Sequence, residues 1–386
     1  MYVRVTTIHA THRPHSRRTK TTANPIEQRS MSETNEAFAY IVDSNGNKVG
    51  LNAEELGRYV IENYATYDFM FKQNFFDYQD THAMAPIRAK LKEGLDAVSC
   101  DYIDRFEYLL NFQRVSDQAL IKSDMFWTET DKALLERNRE IVASGQIPLL
   151  QQVNQDFSTA YTNLYGMYEV LGLAKKSADG VSSNEKEELN YMEFINGKAV
   201  IDAGGFIGDT VVLFKDIFEK SKIYSFEPVK KNYDFLCNFV KPFIENGQVV
   251  PVQKGLGNQK GTLRFSGTRA EAAADATASS YYDYANPELY EEAEVVTIDD
   301  YAKEHGLDVG LIKVDVEGAE VDIIKGALNT IKTYKPLLVI AIYHNAAEFY
   351  ELKPYLESLN LGYKFCIRRS NICVPSTDLV LVAYQE

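Results

Sequence analysis

The stretch LIKVDVEGAE, residues 311–320, sets Ile312, Val314 and Val316 in alternation with Lys313, Asp315 and Glu317, and ends on Gly318 and Glu320. Side chains alternate between the two faces of an extended strand, so the pattern predicts one lysine and two carboxylates on a single face. An unpaired buried charge is costly, and charges on an otherwise apolar strand must be paired, hydrated or part of a site. Asp315 and Glu317 are of the right type to take a proton from an acceptor hydroxyl. His344, directly after the apolar run LLVIAIY, adds a group that exchanges a proton near neutral pH. These three are the candidate catalytic residues. Glu320 is assigned to the start of the following helix, where an acid meets the positive end of the helix dipole. The same trio could instead hold a divalent ion, but the spacing is not diagnostic and metal is the less favoured alternative.

A second constellation lies upstream. VIDAGGFIGDT brings Asp202, Gly204, Gly205, Phe206 and Gly208 to the end of an apolar run and the start of a helical one. Glycines at such a turn let backbone and ligand approach closely, and the helix N-terminus adds partial positive charge. The next apolar run, IYSFEP, ends at Glu227, placed to accept the hydroxyls of a ribose. A dinucleotide fingerprint needs G-x-G-x-x-G around a pyrophosphate. Here the spacing is D-x-G-G-x-x-G, and the Asp202 carboxylate would repel phosphate while attracting an ammonium group. S-adenosylmethionine offers an ammonium, a ribose diol and no phosphate. Asp202, Gly204, Gly205, Phe206, Gly208 and Glu227 are therefore the candidate cofactor-binding residues.

The elements that must position these residues follow from periodicity. AVIDAG, KIYSFEP, VVPVQKG, LIKVDVEG and LLVIAIYH alternate with the helical stretches DTVVLFKDIFEK, VKKNYDFLCNFVKPFIENG and AEVDIIKGALNTIKTY. Such alternation of apolar strands and helices predicts a parallel, doubly wound α/β sheet. GYKFCIRRSNICVPSTDLVLVAYQE adds two strands around a turn, an antiparallel hairpin at the edge. Residues 267–294, rich in Ala, Ser and Tyr, form a long connection whose Ser279, Ser280, Tyr281, Tyr282 and Tyr284 suit recognition of a sugar ring.

The N-terminal half has a different texture. Residues 1–37 open with a basic stretch, six basic residues against one acid in the first 30, and read as a disordered tail. Met31 offers an alternative start. Residues 38–173 read as a mainly helical accessory domain, with an Asn45-Gly46 hairpin signal, a helix over 53–71 and another over 100–113. Its aromatics Phe69, Phe71, Phe75, Phe76 and Tyr78 read first as helix–helix core, and second as a dimer surface or a lid. Residues 174–189 are a polar linker, and 190–386 form the α/β domain.

Composition narrows the partners. The chain has 386 residues and a net charge of −14, which disfavours a general nucleic-acid binder. Its four cysteines make no CxxC pair and suggest reduced thiols in a cytoplasmic protein. No run reaches the roughly 18 apolar residues of a membrane span.

VIDAGGFIGDT, SFEP and VVTIDDYAKEHGLDVGLIKVDVEGAEVDIIKGA together resemble the FkbM family of S-adenosylmethionine-dependent methyltransferases, over residues 195–385. The D-x-E-G-x-E segment before a helix ending in K-G-A is the most specific mark. The resemblance implies the class I methyltransferase fold, a Rossmann-like seven-stranded sheet closed by an antiparallel hairpin. It also implies O-methylation of a sugar, glycan or polar secondary metabolite. Two departures stand out: Gly205-Phe206 replaces a small residue and Asn in the glycine loop, and the fifth strand ends IYHN instead of in an acid. The expected function is thus an S-adenosylmethionine-dependent O-methyltransferase with a small-molecule or glycan acceptor, and a homo-oligomer through the helical segment is conceivable. The alternatives are a non-catalytic scaffold of the same fold and a nicotinamide dehydrogenase, which the glycine spacing disfavours.

Overall fold

The computed structural model describes residues 39–42, 48–51, 64–67, 69–114, 119–122, 194–266, 279–282, 290–369 and 379–385. The expected tail at 1–37 and linker at 174–189 lie outside them. The chain divides into two compact units, Met1–Thr66 with Leu120–Asp124, and Tyr67–Ala119 with Met125–Glu386.

In the first unit the expected hairpin is present: β1 (Ala39–Val42) and β2 (Lys48–Leu51) pair antiparallel, Val42 opposite Lys48. The helix expected over 53–71 is not continuous, because Tyr64–Tyr67 is a strand, β3. Its sequence YATY is aromatic and β-branched, and strand preference wins there.

The second unit begins with α1 (Lys72–Thr81), α2 (Met84–Lys92) and α3 (Ala97–Phe112). Asp96 caps α3 by accepting from the Ser99 N–H at 2.7 Å. Most of the short β4 (Ala119–Lys122), which pairs with β3, belongs to the first unit; in the second the alternating region runs β5 (Ala199–Ala203), α4 (Asp209–Ile217), β6 (Lys222–Phe226), α5 (Lys230–Phe239), α6 (Lys241–Glu245) and β7 (Val249–Val252). β8 (Gly255–Leu256), β9 (Gly261–Phe265) and β10 (Glu291–Val296) form a separate three-stranded sheet. The chain then continues through α7 (Ile298–His305), β11 (Val309–Val314), α8 (Glu320–Lys325), α9 (Leu328–Tyr334), β12 (Leu337–Ala341), α10 (Ala346–Ser358), β13 (Lys364–Arg369) and β14 (Leu379–Tyr384). β10 absorbs the end of the connection expected over 267–294.

The main sheet has seven strands in the order β13-β14-β12-β11-β5-β6-β7. β5, β11 and β12 are buried along their whole length, as a sheet covered by helices on both faces requires. Val200, Phe214, Ile223, Leu236, Leu311 and Val339 share one core layer. Both β13 and β12 run antiparallel to β14, so the expected hairpin closes the sheet.

The helices α1–α3, expected as part of a separate domain over 38–173, belong to the same compact unit as this sheet. Phe69, Phe75 and Phe106 are buried together, and Phe106 stacks on Phe349 of α10 with ring centroids 4.6 Å apart. The Ser99 hydroxyl accepts the Ile367 N–H at 2.8 Å, and Arg368 pairs with Asp96 at 2.6 Å, which covers the exposed edge of β13. The core reading of these aromatics therefore holds for Phe69 and Phe75.

Candidate active site

The strand order reverses between β5 and β11, and ligands of open α/β sheets bind beyond the carboxyl ends of strands at that point. Both sequence-predicted constellations meet there. β5 ends in the loop 204–208, and β11 ends in the turn 315–318. The two are in contact: a Cβ on Gly204 would lie 1.8 Å from the Asp315 carbonyl oxygen, and φ at Gly204 is +85°. Only glycine fits that crossing.

The alternation read from LIKVDVEGAE stops at Val314. Glu317 takes φ +60° and Gly318 φ +113°, which turns the chain out of the strand. Lys313, Asp315 and Glu317 therefore do not share one strand face. Lys313 stays in β11 directly opposite Asp202 of β5, and Asp202 in turn sits opposite Ser225 of β6. The result is a buried row: Ser225 Oγ donates to Asp202 at 2.6 Å, and Lys313 Nζ lies 3.3 Å from Asp202 and donates to the Gly204 carbonyl at 2.7 Å. Burial pulls the Lys313 ammonium down, but Asp202, Asp315 and Asp209 outweigh it and hold the group above its ordinary value. Burial pushes the Asp209 carboxyl up, against the attraction of Lys313. The Asp202 carboxylate is fully buried in this row, in contrast to the expectation that it faces a ligand.

Glu227 closes the other side of the loop. One carboxylate oxygen accepts the Phe206 N–H at 2.9 Å and the other the Val229 N–H at 2.9 Å. Burial outweighs these bonds and pushes the Glu227 carboxyl up to about 7. Phe206 adopts φ +42°, a region that asparagine tolerates far better than phenylalanine. That is the position at which the FkbM pattern carries Asn.

The third cluster surrounds His344, three residues past β12 and fully buried. Its Nε2 lies 3.6 Å from Asp315 Oδ1 and 3.6 Å from Glu317 Oε1, while Nδ1 is 2.9 Å from Glu320 Oε1 and 3.9 Å from Glu348 Oε2. Asp315, Glu317 and His344 are thus brought together as expected, with the side chains of Asp315 36% and Glu317 20% exposed. Burial opposes a charged imidazole, but Glu320 and Glu317 raise the His344 pKa well above its usual range. Burial also favours a protonated Glu320; His344 above all, with Glu348 and the Val316 N–H, instead holds it down to about 2. Burial and the neighbouring Glu320 charge drive the Glu348 carboxyl well above its ordinary value. Burial raises Glu317 despite His344.

Glu320 starts α8, as assigned, and also holds the turn by accepting the Val316 N–H at 2.8 Å and the Gly318 N–H at 3.0 Å. Sequence reasoning missed Glu348 and Asn345. Asn345 caps α10 by accepting the Glu348 N–H at 3.0 Å and donates to the Gly318 carbonyl at 3.2 Å. The signal was legible, since N-x-x-E after an apolar run is a capping pattern. Of the connection 267–294, residues 279–282 border the site. Ser279 donates to the Glu317 carbonyl at 2.6 Å, Tyr282 donates to the His344 carbonyl, and the Tyr281 ring covers Gly318. Phe71 stacks on Tyr282 and meets His344 edge-on at 5.3 Å. Ser280 lies in the same short segment, and Tyr284 lies outside the described residues.

Counted along the chain within the sheet, the strand order is 3-2-1-4-5 followed by the antiparallel pair 7-6, the class I methyltransferase arrangement. The family model for the Methyltransferase FkbM domain matches residues 202–365, the segment that contains all three clusters. That match spans less than half of the chain. The chain is similar to Methyltransferase 1 of Beauveria bassiana (strain ARSEF 2860), 25% identical over 205 residues that cover 49% of this chain and 81% of that protein. Among solved structures it overlaps methyltransferase FkbM from Methylobacillus flagellatus KT at 18% identity and TM-score 0.38, covering 62% of this chain and 58% of that one. It also overlaps Aeropyrum pernix fibrillarin in complex with S-adenosyl-L-methionine at 11% identity and TM-score 0.29, covering 49% and 67% respectively. The strand order, not these overlaps, carries the fold. Among the described residues no helix is long and apolar enough to cross a membrane.

Proposed function

We propose that the domain transfers a methyl group from S-adenosylmethionine to a hydroxyl of a sugar, glycan or other polar metabolite. The observation that carries this reading is the pair of partly open carboxylates, Asp315 and Glu317, standing beside the glycine loop at the strand-order reversal.

The cofactor end suits a phosphate-free nucleoside. The N–H groups that a pyrophosphate would need are already engaged: Gly204 and Gly205 donate to the Phe226 carbonyl, Gly208 to that of Gly205 and Phe206 to Glu227. Asp209 in the first turn of α4 adds an acid where a phosphate would sit. Glu227 is placed to exchange its backbone partners for ribose hydroxyls. Asp202 braces the loop from beneath through Lys313. S-adenosylmethionine, when bound, supplies an electrophilic methyl group whose bond to sulfur breaks as the acceptor oxygen bonds to carbon. Asp315, the more open carboxylate, takes the acceptor's proton, and Glu317 with His344 orients it. Tyr281, exposed beside Gly318, offers a flat face suited to a sugar ring.

The test is calorimetric titration of the full chain with S-adenosylhomocysteine, followed by label transfer from S-adenosylmethionine to a panel of saccharides, small phenols and peptides. One bound molecule per chain and label on a saccharide hydroxyl are expected. Failure to bind removes the methyltransferase reading; binding without transfer to any acceptor leaves a non-catalytic binding protein; label on nitrogen or carbon removes the O-methyl assignment.

A further inference from the structure

We infer that Asp315, Glu317 and His344 together hold a divalent cation at the carboxyl ends of β11 and β12. Acidic side chains commonly gather without an ion, and the histidine is what separates this cluster from such cases. His344 is fully buried, and among the described residues its Nε2 has no hydrogen-bond partner. That nitrogen faces Asp315 Oδ1 and Glu317 Oε1, both 3.6 Å away and beyond hydrogen-bond reach. One oxygen from each acid and a His344 ring nitrogen all lie within 4.8 Å of one another. Separations of this size leave room for a cation between the three groups.

The support behind the imidazole points the same way. Glu320 Oε1 stands 2.9 Å from Nδ1, on the far side of the ring from the gap, although among the described residues neither ring nitrogen makes a well-aligned hydrogen bond. Glu320 is itself fixed by the N–H groups of Val316 and Gly318, so it cannot swing away. Phe71 and Tyr343 flank the ring, with centroids 5.3 and 4.0 Å distant, and hold its plane. A cation entering this gap takes the place of the Nε2 proton, so that the ring nitrogen and the two carboxylates face it together. The inner group Glu320, His344 and Glu348 is buried on every side and leaves no open coordination position. The outer trio keeps Asp315 and Glu317 partly open, and so can admit water and an acceptor oxygen.

Two carboxylates and one imidazole favour a cation of intermediate hardness, Mn²⁺ ahead of Mg²⁺. The functional consequence rests on the O-methyltransferase reading: the cation draws in the acceptor hydroxyl and lowers its pKa, while the second oxygen of Asp315 remains free for the proton.

The full chain, dialysed against EDTA and then freed of chelator, is titrated with MnCl₂ while free Mn²⁺ is followed by electron paramagnetic resonance. The expected result is one saturable ion per chain, competed by Mg²⁺. Asp315→Asn and Glu317→Gln each weaken it by at least about 10-fold, the loss that even outer-shell changes produce, while the exposed Asp322→Asn does not. Far-ultraviolet circular dichroism and the melting temperature establish that each variant is folded. No saturable binding up to millimolar Mn²⁺ in the folded wild type overturns the site and leaves a protonated imidazole as the balancing charge. Undiminished binding in both acid variants overturns it as well. Titration of the same samples with S-adenosylhomocysteine separates the two readings, because loss of nucleoside binding with Mn²⁺ binding intact strikes only the methyltransferase proposal.

Discussion

Between β5 and β11 one lysine, Lys313, meets Asp202 and two backbone carbonyls; between β11 and β12 one imidazole, His344, meets Asp315, Glu317, Glu320 and Glu348. Both clusters lie at strand ends of the same sheet, and both remove charge from water. The first closes on itself, because Lys313 and Asp202 are paired cross-strand neighbours whose further bonds go to Ser225 and backbone carbonyls. The second has more acid than base, and its excess faces a partly open gap. The first cluster is closed by direct pairing inside the sheet, whereas the second keeps Asp315 and Glu317 partly open.

Four measurements break or sharpen that contrast, the largest effect first. Lys313→Met leaves Asp202 buried without its cation and is expected to destabilise the chain by about 3–5 kcal/mol, read from the midpoint of urea unfolding. A loss below about 1 kcal/mol would mean that the first cluster is not the matched pair described. Asp315→Asn is expected to do the reverse: methyl transfer falls by roughly 100-fold or more while unfolding shifts by less than about 1 kcal/mol. Equal losses of stability in the two variants would erase the distinction.

The third measurement concerns Glu227, held up to about 7 by burial. Its raised value contributes stability that is fully present below the ordinary carboxyl pKa and is lost as pH rises through about 7. Ribose needs the ionised form, so affinity for S-adenosylhomocysteine should rise between pH 6 and 8, roughly 10-fold. In Glu227→Gln that dependence should vanish; a flat profile in the wild type removes Glu227 from the ribose site. The smallest effect is expected from Phe206→Asn, which places a residue tolerant of positive φ in the glycine loop and should raise stability by about 1 kcal/mol, measured by melting temperature.

The strands that carry these clusters were readable from sequence because buried parallel strands are nearly unbroken apolar runs, as in KIYSF and LLVIA. The glycine loop, Glu227 and the trio Asp315, Glu317 and His344 were readable because such residues end those runs. Register was not. That Lys313 faces Asp202, and Asp202 faces Ser225, depends on how three strands separated by helices slide against one another. The end of β11 was misread because alternation continues in the letters past Val314, whereas the backbone turns at Glu317. The helix expected over 53–71 failed for a related reason: local aromatic and β-branched character at Tyr64–Tyr67 favours a strand that helical spacing alone does not reveal. Glu348 was legible as the fourth residue of the N-x-x-E cap, but its packing against Glu320 was not.

The crossing at Gly204 and Asp315 has a wider meaning. The loop that would cradle the nucleoside and the turn that would cradle the cation share one wall, with the Asp315 N–H also donating to the Ala203 carbonyl at 3.0 Å. Ligands bound on the two sides would press on the same backbone. Thermodynamic linkage then runs both ways: whatever factor the nucleoside adds to ion affinity, the ion must return to nucleoside affinity. Gly204, by lacking a side chain, lets the two loops meet backbone to backbone.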